Sequence, residues 1–494
     1  MYSTVPRIIR RREPVYMITD QCDCACSATI ASQTRQLVIP LSGKMSTSPH
    51  LHSLALPKSH RVAFVPSGNG AGDSIAVLNK PAWEILSSFE QPRHWKTYIP
   101  IWYQTWGEQT INTTLAEFFS LGFLVVPNTL STSLVEQPRA LSVWLHITDR
   151  CNLSCAYCYL PHTHSDMSTE IGRAAIEATF RSALTHNYRQ VKLKYAGGEP
   201  LFCFPLITKL HHYAQTLANQ HGLSLDGVVL SNGTLVTPEI VQKMKSLGLR
   251  LMVSLDGLDD FHDCQRFYTD GRGSAADTIF AVELALDHGL VPDISITVSG
   301  RNAGGLPELI AWVLEHDLPF SLNFYRENDL SVSQADLELD EEKIVAGMLA
   351  AYKVIQANLP HRSLLASLVD RANLSAPHLR TCGVGHSYLV FDCRGQVSKC
   401  QMQIEKPVTN VHADDPLTLV RTDKIGIQNI PVDEKERCRS CEWKYWCMGG
   451  CPLDTYRATG QYDVKSPNCN IYKALYPETV RLEGLRLLKL YGRG

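Results

Sequence analysis

Three cysteines, Cys151, Cys155 and Cys158, stand in the run TDRCNLSCAYCY. Iron–sulfur clusters are held by cysteine thiolates, ordinarily four to a cluster. A tight loop with three leaves one iron of a [4Fe–4S] cube open, free to hold a small molecule and pass it an electron. The competing readings of C-x3-C-x2-C are a zinc loop and three unrelated thiols. A larger set follows toward the C-terminus: Cys382, Cys393, then Gly395 and Cys400 as G-x4-C, then Cys438, Cys441, Cys447 and Cys451 as C-x2-C-x5-C-x3-C, and Cys469. A zinc ribbon is the alternative there, since C-x2-C pairs are common zinc ligands. Cys22, Cys24 and Cys26 alternate, which in an extended segment puts three thiols on one side. That suits a metal or redox exchange, against incidental thiols in a flexible arm. Cys203 and Cys264 have no partners and read as buried small apolar groups.

Elements must carry these thiols. Between about 140 and 330, short apolar runs alternate with helical stretches. LSVWLHI, VKLKYAG, GVVLSNG, RLMVSLDG, DISITVSG and FSLNFYR read as strands, and TEIGRAAIEATFRSALTH and TPEIVQKMKSLG as helices. Such alternation argues for parallel β/α units. Ligands of β/α barrels gather at the C-terminal ends of the strands, and the first cysteine loop directly follows the first strand. Gly197-Gly198-Glu199-Pro200 ends the second strand, SNGT (Ser231 to Thr234) the third, and VSLDG (Val253 to Gly257) the fourth. Val298 lies at the end of the fifth. Glycines allow close approach of backbone to a ligand, and a carboxylate pairs with an ammonium.

Upstream, HRVAFVP and DSIAVLN read as two strands around the turn SGNGAG. KPAWEILSSFE and TINTTLAEFFSLG read as helices, the second with Gly122 at its C-cap, and FLVVP as a closing strand. Residues 1–56, with the basic run Arg7, Arg10, Arg11 and Arg12, are poorly patterned and read as a flexible segment. The divisions expected are 1–56, a small α+β unit at 57–130, the strand–helix core at 140–330, a helical linker at 331–380, a cysteine-rich unit at 381–475, and a tail helix at 476–494. The acidic patch Asp336, Glu338, Asp340, Glu341 and Glu342 reads as a solvated helix face.

A chain of 494 residues has room for two or three such units. The formal net charge of −2 gives no field for nucleic acid or anionic membrane. There is no apolar run of spanning length and no signal peptide. Sixteen cysteines point to metal ligation in a reducing compartment, with the cytoplasm the expected location.

The cysteine loop with its aromatic Tyr157, followed in order by GGEP, SNGT and VSLDG, resembles the radical S-adenosylmethionine (SAM) superfamily. That resemblance implies an α/β fold with a partial (β/α)6 barrel. It implies a [4Fe–4S] cluster on Cys151, Cys155 and Cys158 that binds SAM, with Tyr157, Gly197, Gly198, Glu199, Asn232, Ser254 and Val298 as cofactor contacts and Arg266 as a weaker candidate for the SAM carboxylate. The C-terminal array resembles the SPASM domain, which implies one or two auxiliary [4Fe–4S] clusters. One would take Cys382, Cys400 and Cys451, with Cys393 as a fourth ligand or an open iron in its place. The other would take Cys438, Cys441, Cys447 and Cys469. The unit at 57–130 resembles the winged-helix-like leader-binding domains related to the protein PqqD.

Reductive cleavage of SAM to methionine and a 5′-deoxyadenosyl radical is the chemistry the resemblance implies. The expected substrate is a ribosomally made precursor peptide bound through its leader, receiving an intramolecular thioether or carbon–carbon crosslink. An electron donor such as flavodoxin or ferredoxin is expected, with no nucleic-acid or membrane partner. A second enzyme reading is sulfatase maturation to formylglycine, but those relatives carry an Asp base where this chain has Gln401. A third reading is a non-catalytic iron–sulfur carrier, which has no need of the GGEP, SNGT and VSLDG set.

Overall fold

The computed structural model describes residues 5–11, 44–66, 74–94, 97, 99–127, 139–331 and 334–492. Cys22, Cys24 and Cys26 lie outside them. The first part of the chain contributes β1 (Ile8–Ile9), β2 (Lys44–Thr47), β3 (His52–Leu56), β4 (His60–Phe64), β5 (Ile75–Leu78), α1 (Lys80–Ser87), β6 (Arg93–His94), α2 (Ile99–Trp106), α3 (Glu108–Ser120) and β7 (Leu124–Val125). An antiparallel sheet runs β1-β5-β4-β3, and a smaller one β6-β2-β7. Residues 44–56 are therefore not a flexible segment. HSLAL pairs residue for residue with HRVAF across a tight turn, and cross-strand pairing, invisible to local composition, supplies the order. Phe89, Ile111, Leu115, Phe118 and Phe123 fill a core of this unit's own.

The central sheet is parallel. It is built from β8 (Ala140–Thr148), β9 (Gln190–Gly197), β10 (Ser224–Ser231), β11 (Arg250–Ser254), β12 (Asp293–Val298) and β13 (Phe320–Phe324). Between them lie α4 (Thr169–Thr185), α5 (Phe204–His221), α6 (Pro238–Leu247), α7 (Asp260–Asp263), α8 (Ala275–Asp287) and α9 (Leu306–Glu315). The six sequence strands thus follow one another across the sheet in chain order, each parallel to the next. Local signals bound the helices. Ser168 accepts from the Ile171 amide to start α4, and Thr237 accepts from the Ile240 amide to start α6, with Pro238 in its first turn. Gly248 ends α6 at φ 67°.

After α10 (Glu341–Ala357), the chain adds β14 (Tyr388–Phe391), β15 (Gln396–Ser398) and β16 (Thr409–Asn410), then α11 (Pro416–Thr422), α12 (Lys444–Cys447), α13 (Pro452–Thr459) and α14 (Cys469–Tyr491). β14 pairs in parallel with β8, and β15 and β16 follow antiparallel. The cysteine-rich region is thereby joined to the barrel sheet by a hydrogen-bonded strand. The terminal helix begins at Cys469 and not at 476. It packs on β3, β4 and β5, and Gly484 is where it meets them: a Cβ there would lie 2.8 Å from the Val62 Cβ. Arg11 and Arg486 both ion-pair the buried Glu483, tying the N-terminal segment to the same helix.

Two outcomes follow. Gly484→Val should overpack this junction at a cost of about 1–3 kcal/mol, seen as a lower thermal midpoint and faster proteolytic release of the N-terminal unit. The second concerns pH. His211 is buried beside the Tyr195 hydroxyl, and burial pulls its imidazole down to about 4. A depressed folded-state value means stability that is present above the unfolded histidine value and lost as pH falls toward 4. His211→Asn should flatten the loss of stability below about pH 6.5, measured by denaturant unfolding at a series of pH values.

Candidate functional site

The first cysteine loop leaves β8 at Thr148 and is held by the ends of the next two strands. The Gly198 amide donates to the Thr148 carbonyl at 2.7 Å, and the Glu199 amide to the Arg150 carbonyl at 2.7 Å. The approach is closer than any side chain allows. A Cβ on Gly197 would sit 2.3 Å from the Thr148 oxygen, and one on Gly198 2.3 Å from the Arg150 oxygen. Glu199 is fully buried. Its carboxylate accepts from the Leu201 amide (3.0 Å), the Ser231 hydroxyl (2.9 Å) and the Asn232 amide (2.7 Å), so it joins GGEP to SNGT. Burial nevertheless pushes its carboxyl up to about 7. Asn232 in turn donates to Asn152 at 2.9 Å and faces the Cys151 sulfur at 4.0 Å, while Asn152 donates to Thr234.

A second brace comes from beyond the fourth strand. The Ser154 amide donates to the Phe267 carbonyl (2.7 Å) and the Ala156 amide to the Gln265 carbonyl (2.9 Å). Tyr157 donates to Asp256 at 2.6 Å, and Arg266 bonds the same phenol oxygen. Asp256 also accepts from the Thr297 amide and from Gln265, and Asn328 donates to the Tyr157 carbonyl. Ser254 closes β11 beside Ser295, and Val298 is buried at the end of β12, on the same rim. Asp256, Gln265 and Asn328 escaped sequence reading. Asp256 lies inside VSLDG, but nothing local marks it as the anchor of Tyr157.

The three thiols influence one another. Removal from water pushes Cys151 up to about 11 and Cys155 to about 12, with neighbouring thiols adding to both. Such a loop resists three bare thiolates and favours a cation that takes them together. Burial acts on the C-terminal cysteines in the same way. Burial pushes Cys400 up to about 12, with Cys451 and Cys382 adding to it. Burial pushes Cys438 up to about 11, with Cys447, Cys469 and Cys441 adding to it. Lys435, whose ammonium donates to the Met448 carbonyl at 2.9 Å, is buried where it feels Cys438, Cys447, Cys382 and Cys451. Arg326, just past β13, ion-pairs Asp370 at 2.7 Å and Asp454 at 3.4 Å. It brings the Cys451 segment to the C-terminal end of the barrel strands. Gln401 accepts from the Tyr388 hydroxyl at 3.1 Å.

Cys393 is a correction. It does not join Cys382, Cys400 and Cys451. The β14–β15 turn carries it beside β8, where its sulfur donates to the His146 carbonyl at 3.2 Å. Cys203 is not an isolated apolar group either, since Arg150 donates to its sulfur at 3.5 Å. Cys264 is exposed rather than buried.

Residues 145–313 match the radical SAM superfamily, and this part of the chain is a radical SAM domain, with a [4Fe–4S] cluster and SAM as its cofactors. The cyclopropyl synthase TigE of Paramaledivibacter caminithermalis is 25% identical over 201 residues, 35% of this chain and 41% of TigE. A serine-type anaerobic sulfatase-maturating enzyme of Klebsiella aerogenes is 23% identical over 326 residues, 61% of this chain and 77% of the enzyme. The structure of anSMEcpe with bound AdoMet and a Cp18Cys peptide superposes at a TM-score of 0.58 with 18% identity, covering 70% of this chain and 99% of that one. It shares the fold. The chain spans 57% and 41% of the lengths of two curated relatives that it matches around the barrel. No described helix is long and apolar enough to cross a membrane.

The close approach of GGEP to the cysteine loop is directly testable. Gly198→Ala should displace Arg150 and the loop behind it. Reconstituted protein should then carry roughly one cluster less of iron and sulfide than the parent, with the clusters remaining at the C-terminal cysteines.

Proposed function

We propose that the protein modifies a ribosomally made precursor peptide by installing an intramolecular crosslink, either a thioether or a carbon–carbon bond. The observation carrying this reading is the set of three thiol groups: Cys151, Cys155 and Cys158 at the end of β8, and two C-terminal groups, of which the Cys451 segment is tied to the end of β13 through Arg326 and Asp454. On this reading the first three hold the SAM-binding [4Fe–4S] cluster. Cys382, Cys400 and Cys451 hold one auxiliary cluster, and Cys438, Cys441, Cys447 and Cys469 a second. When bound, the cluster and SAM supply a 5′-deoxyadenosyl radical able to take an unactivated hydrogen. The residues around them position and shield. Gly197 and Gly198 bring the second strand's end against the loop, while Asn232, Ser254, Val298 and Tyr157 form the rim assigned to SAM. Arg266 is committed to Tyr157 and Asp256, which favours a bracing role over contact with the SAM carboxylate.

The N-terminal unit is assigned to the peptide's leader. β3 is the edge of its sheet, with no strand on its outer side among the described residues, and an extended leader can add there through main-chain hydrogen bonds. TigE, a cyclopropyl synthase, supports a bond-forming outcome. A flavodoxin or ferredoxin is the electron donor on this reading, and the reducing environment suited to so many thiols is the cytoplasm. A sulfatase-maturation reading has the Klebsiella relative and the fold in its favour. Against it, Gln401 is an amide spent on Tyr388, and an amide cannot serve as a carboxylate base.

The test uses anaerobically prepared, iron-loaded protein with SAM, reductant and candidate precursor peptides. The parent should form 5′-deoxyadenosine, and a Cys151→Ala/Cys155→Ala/Cys158→Ala variant should form none. Tandem mass spectrometry should then find a crosslinked pair in the peptide. An aldehyde that reacts with a hydrazide probe would replace this reading with formylglycine formation. No 5′-deoxyadenosine from a fully loaded parent with peptide present would leave a carrier.

A further inference from the structure

His146, Asp149 and Cys393 form a group that the proposed chemistry does not use. Their donor atoms all lie within 4.8 Å of one another. The His146 Nε2 is 2.8 Å from the Asp149 Oδ1, and the Cys393 sulfur is 4.0 Å from that same oxygen. His146 is 1% exposed and Cys393 8%. The Asp149 side chain, at 18%, keeps one face toward water. Thr163 donates to the second Asp149 oxygen at 2.6 Å, orienting the carboxylate. The other nitrogen of His146, Nδ1, is buried with no hydrogen-bond partner among the described residues.

We propose that these three side chains bind a zinc ion. An imidazole nitrogen, a carboxylate oxygen and a thiolate are the three donor types zinc accepts together in tetrahedral sites. Donors about 2.0–2.3 Å from a tetrahedral ion stand roughly 3.3–3.6 Å apart. The His146–Asp149 pair therefore opens, and the thiol closes, by about half an ångström each. The thiolate and carboxylate supply two negative charges against the ion's two positive ones, and the fourth position remains for water entering past Asp149. The ion would join the end of β8, three residues before Cys151, to the turn between β14 and β15. It is a clamp between the barrel's first strand and the C-terminal region, and it accounts for a cysteine that stands apart from both C-terminal thiol groups.

The experiment uses the full-length, iron-loaded protein, given one equivalent of zinc anaerobically and passed over a chelating resin. X-ray absorption at the zinc edge should show about one retained zinc with a single sulfur and otherwise nitrogen or oxygen neighbours. Cys393→Ser and His146→Gln should each lower retention roughly tenfold or more while iron and sulfide per chain stay at the parent's level. A sulfur-only shell would place the zinc in the cluster sites and overturn the proposal. So would a parent that retains no zinc, or equal retention by Cys393→Ser. If the variants do not fold, the parent's spectrum still separates this site from the cluster sites, whose shells hold three or four sulfurs, and a Cys203→Ser/Cys264→Ser variant that keeps the zinc excludes the remaining single thiols of the described residues.

Discussion

The contact on which the rest of the structure turns is between two glycines and three backbone carbonyls. Gly197 and Gly198 lie so close to Thr148, Asp149 and Arg150 that a single added methyl would collide with main-chain oxygen. Main chain cannot step aside as a side chain can. The end of β9 and the start of the cysteine loop therefore share one position. Glu199 extends the constraint by one strand. Its buried carboxylate is spent on donors from its own turn and from Ser231 and Asn232, so that β8, β9 and β10 end in a single hydrogen-bonded unit. A loop of three thiols needs this support, since its own short length buries little apolar surface to fix its shape.

Charge is the second constraint. Burial raises the thiols of Cys151, Cys155, Cys158, Cys382, Cys400, Cys438 and Cys447. The protein places a few buried cations among them. Arg266 lies behind the first loop, and Lys435 lies between the two C-terminal groups, feeling cysteines of both. A lone buried ammonium is costly; one set among four thiols becomes favourable when those thiols carry charge. The same positive groups would offset the net negative charge of thiolate-ligated clusters, so the framework favours the loaded state over the bare one.

The molecule's two ends are joined through packing. α14 begins at Cys469, a member of the last thiol group, and runs on to cover β3, β4 and β5 of the N-terminal sheet. The Arg11–Glu483–Arg486 group is buried in that junction. One helix thus runs from a cysteine of the C-terminal array to the N-terminal sheet. β14 makes the corresponding link at the barrel, adding a strand from the cysteine-rich region beside β8.

Much was legible in the residues themselves. The parallel core could be read because each of its strands is a short apolar run bounded by turn residues, and such runs have few other uses. The order of motifs at the strand ends followed from the same pattern, whereas the division of the C-terminal cysteines into two groups rested on the SPASM resemblance alone. Other features were not legible. HSLAL looked like mobile chain because its order comes from a partner strand. Asp256 looked like any turn carboxylate until Tyr157 arrived from 99 residues away. Cys393 had the right sequence neighbourhood for an auxiliary cluster, yet the four-residue turn between β14 and β15 placed it beside β8. Residue types and short spacings thus determined which chemistry this chain can hold. Which buried polar group meets which was decided only by the folded chain, because those pairings depend on strand register and turn geometry that no local pattern encodes.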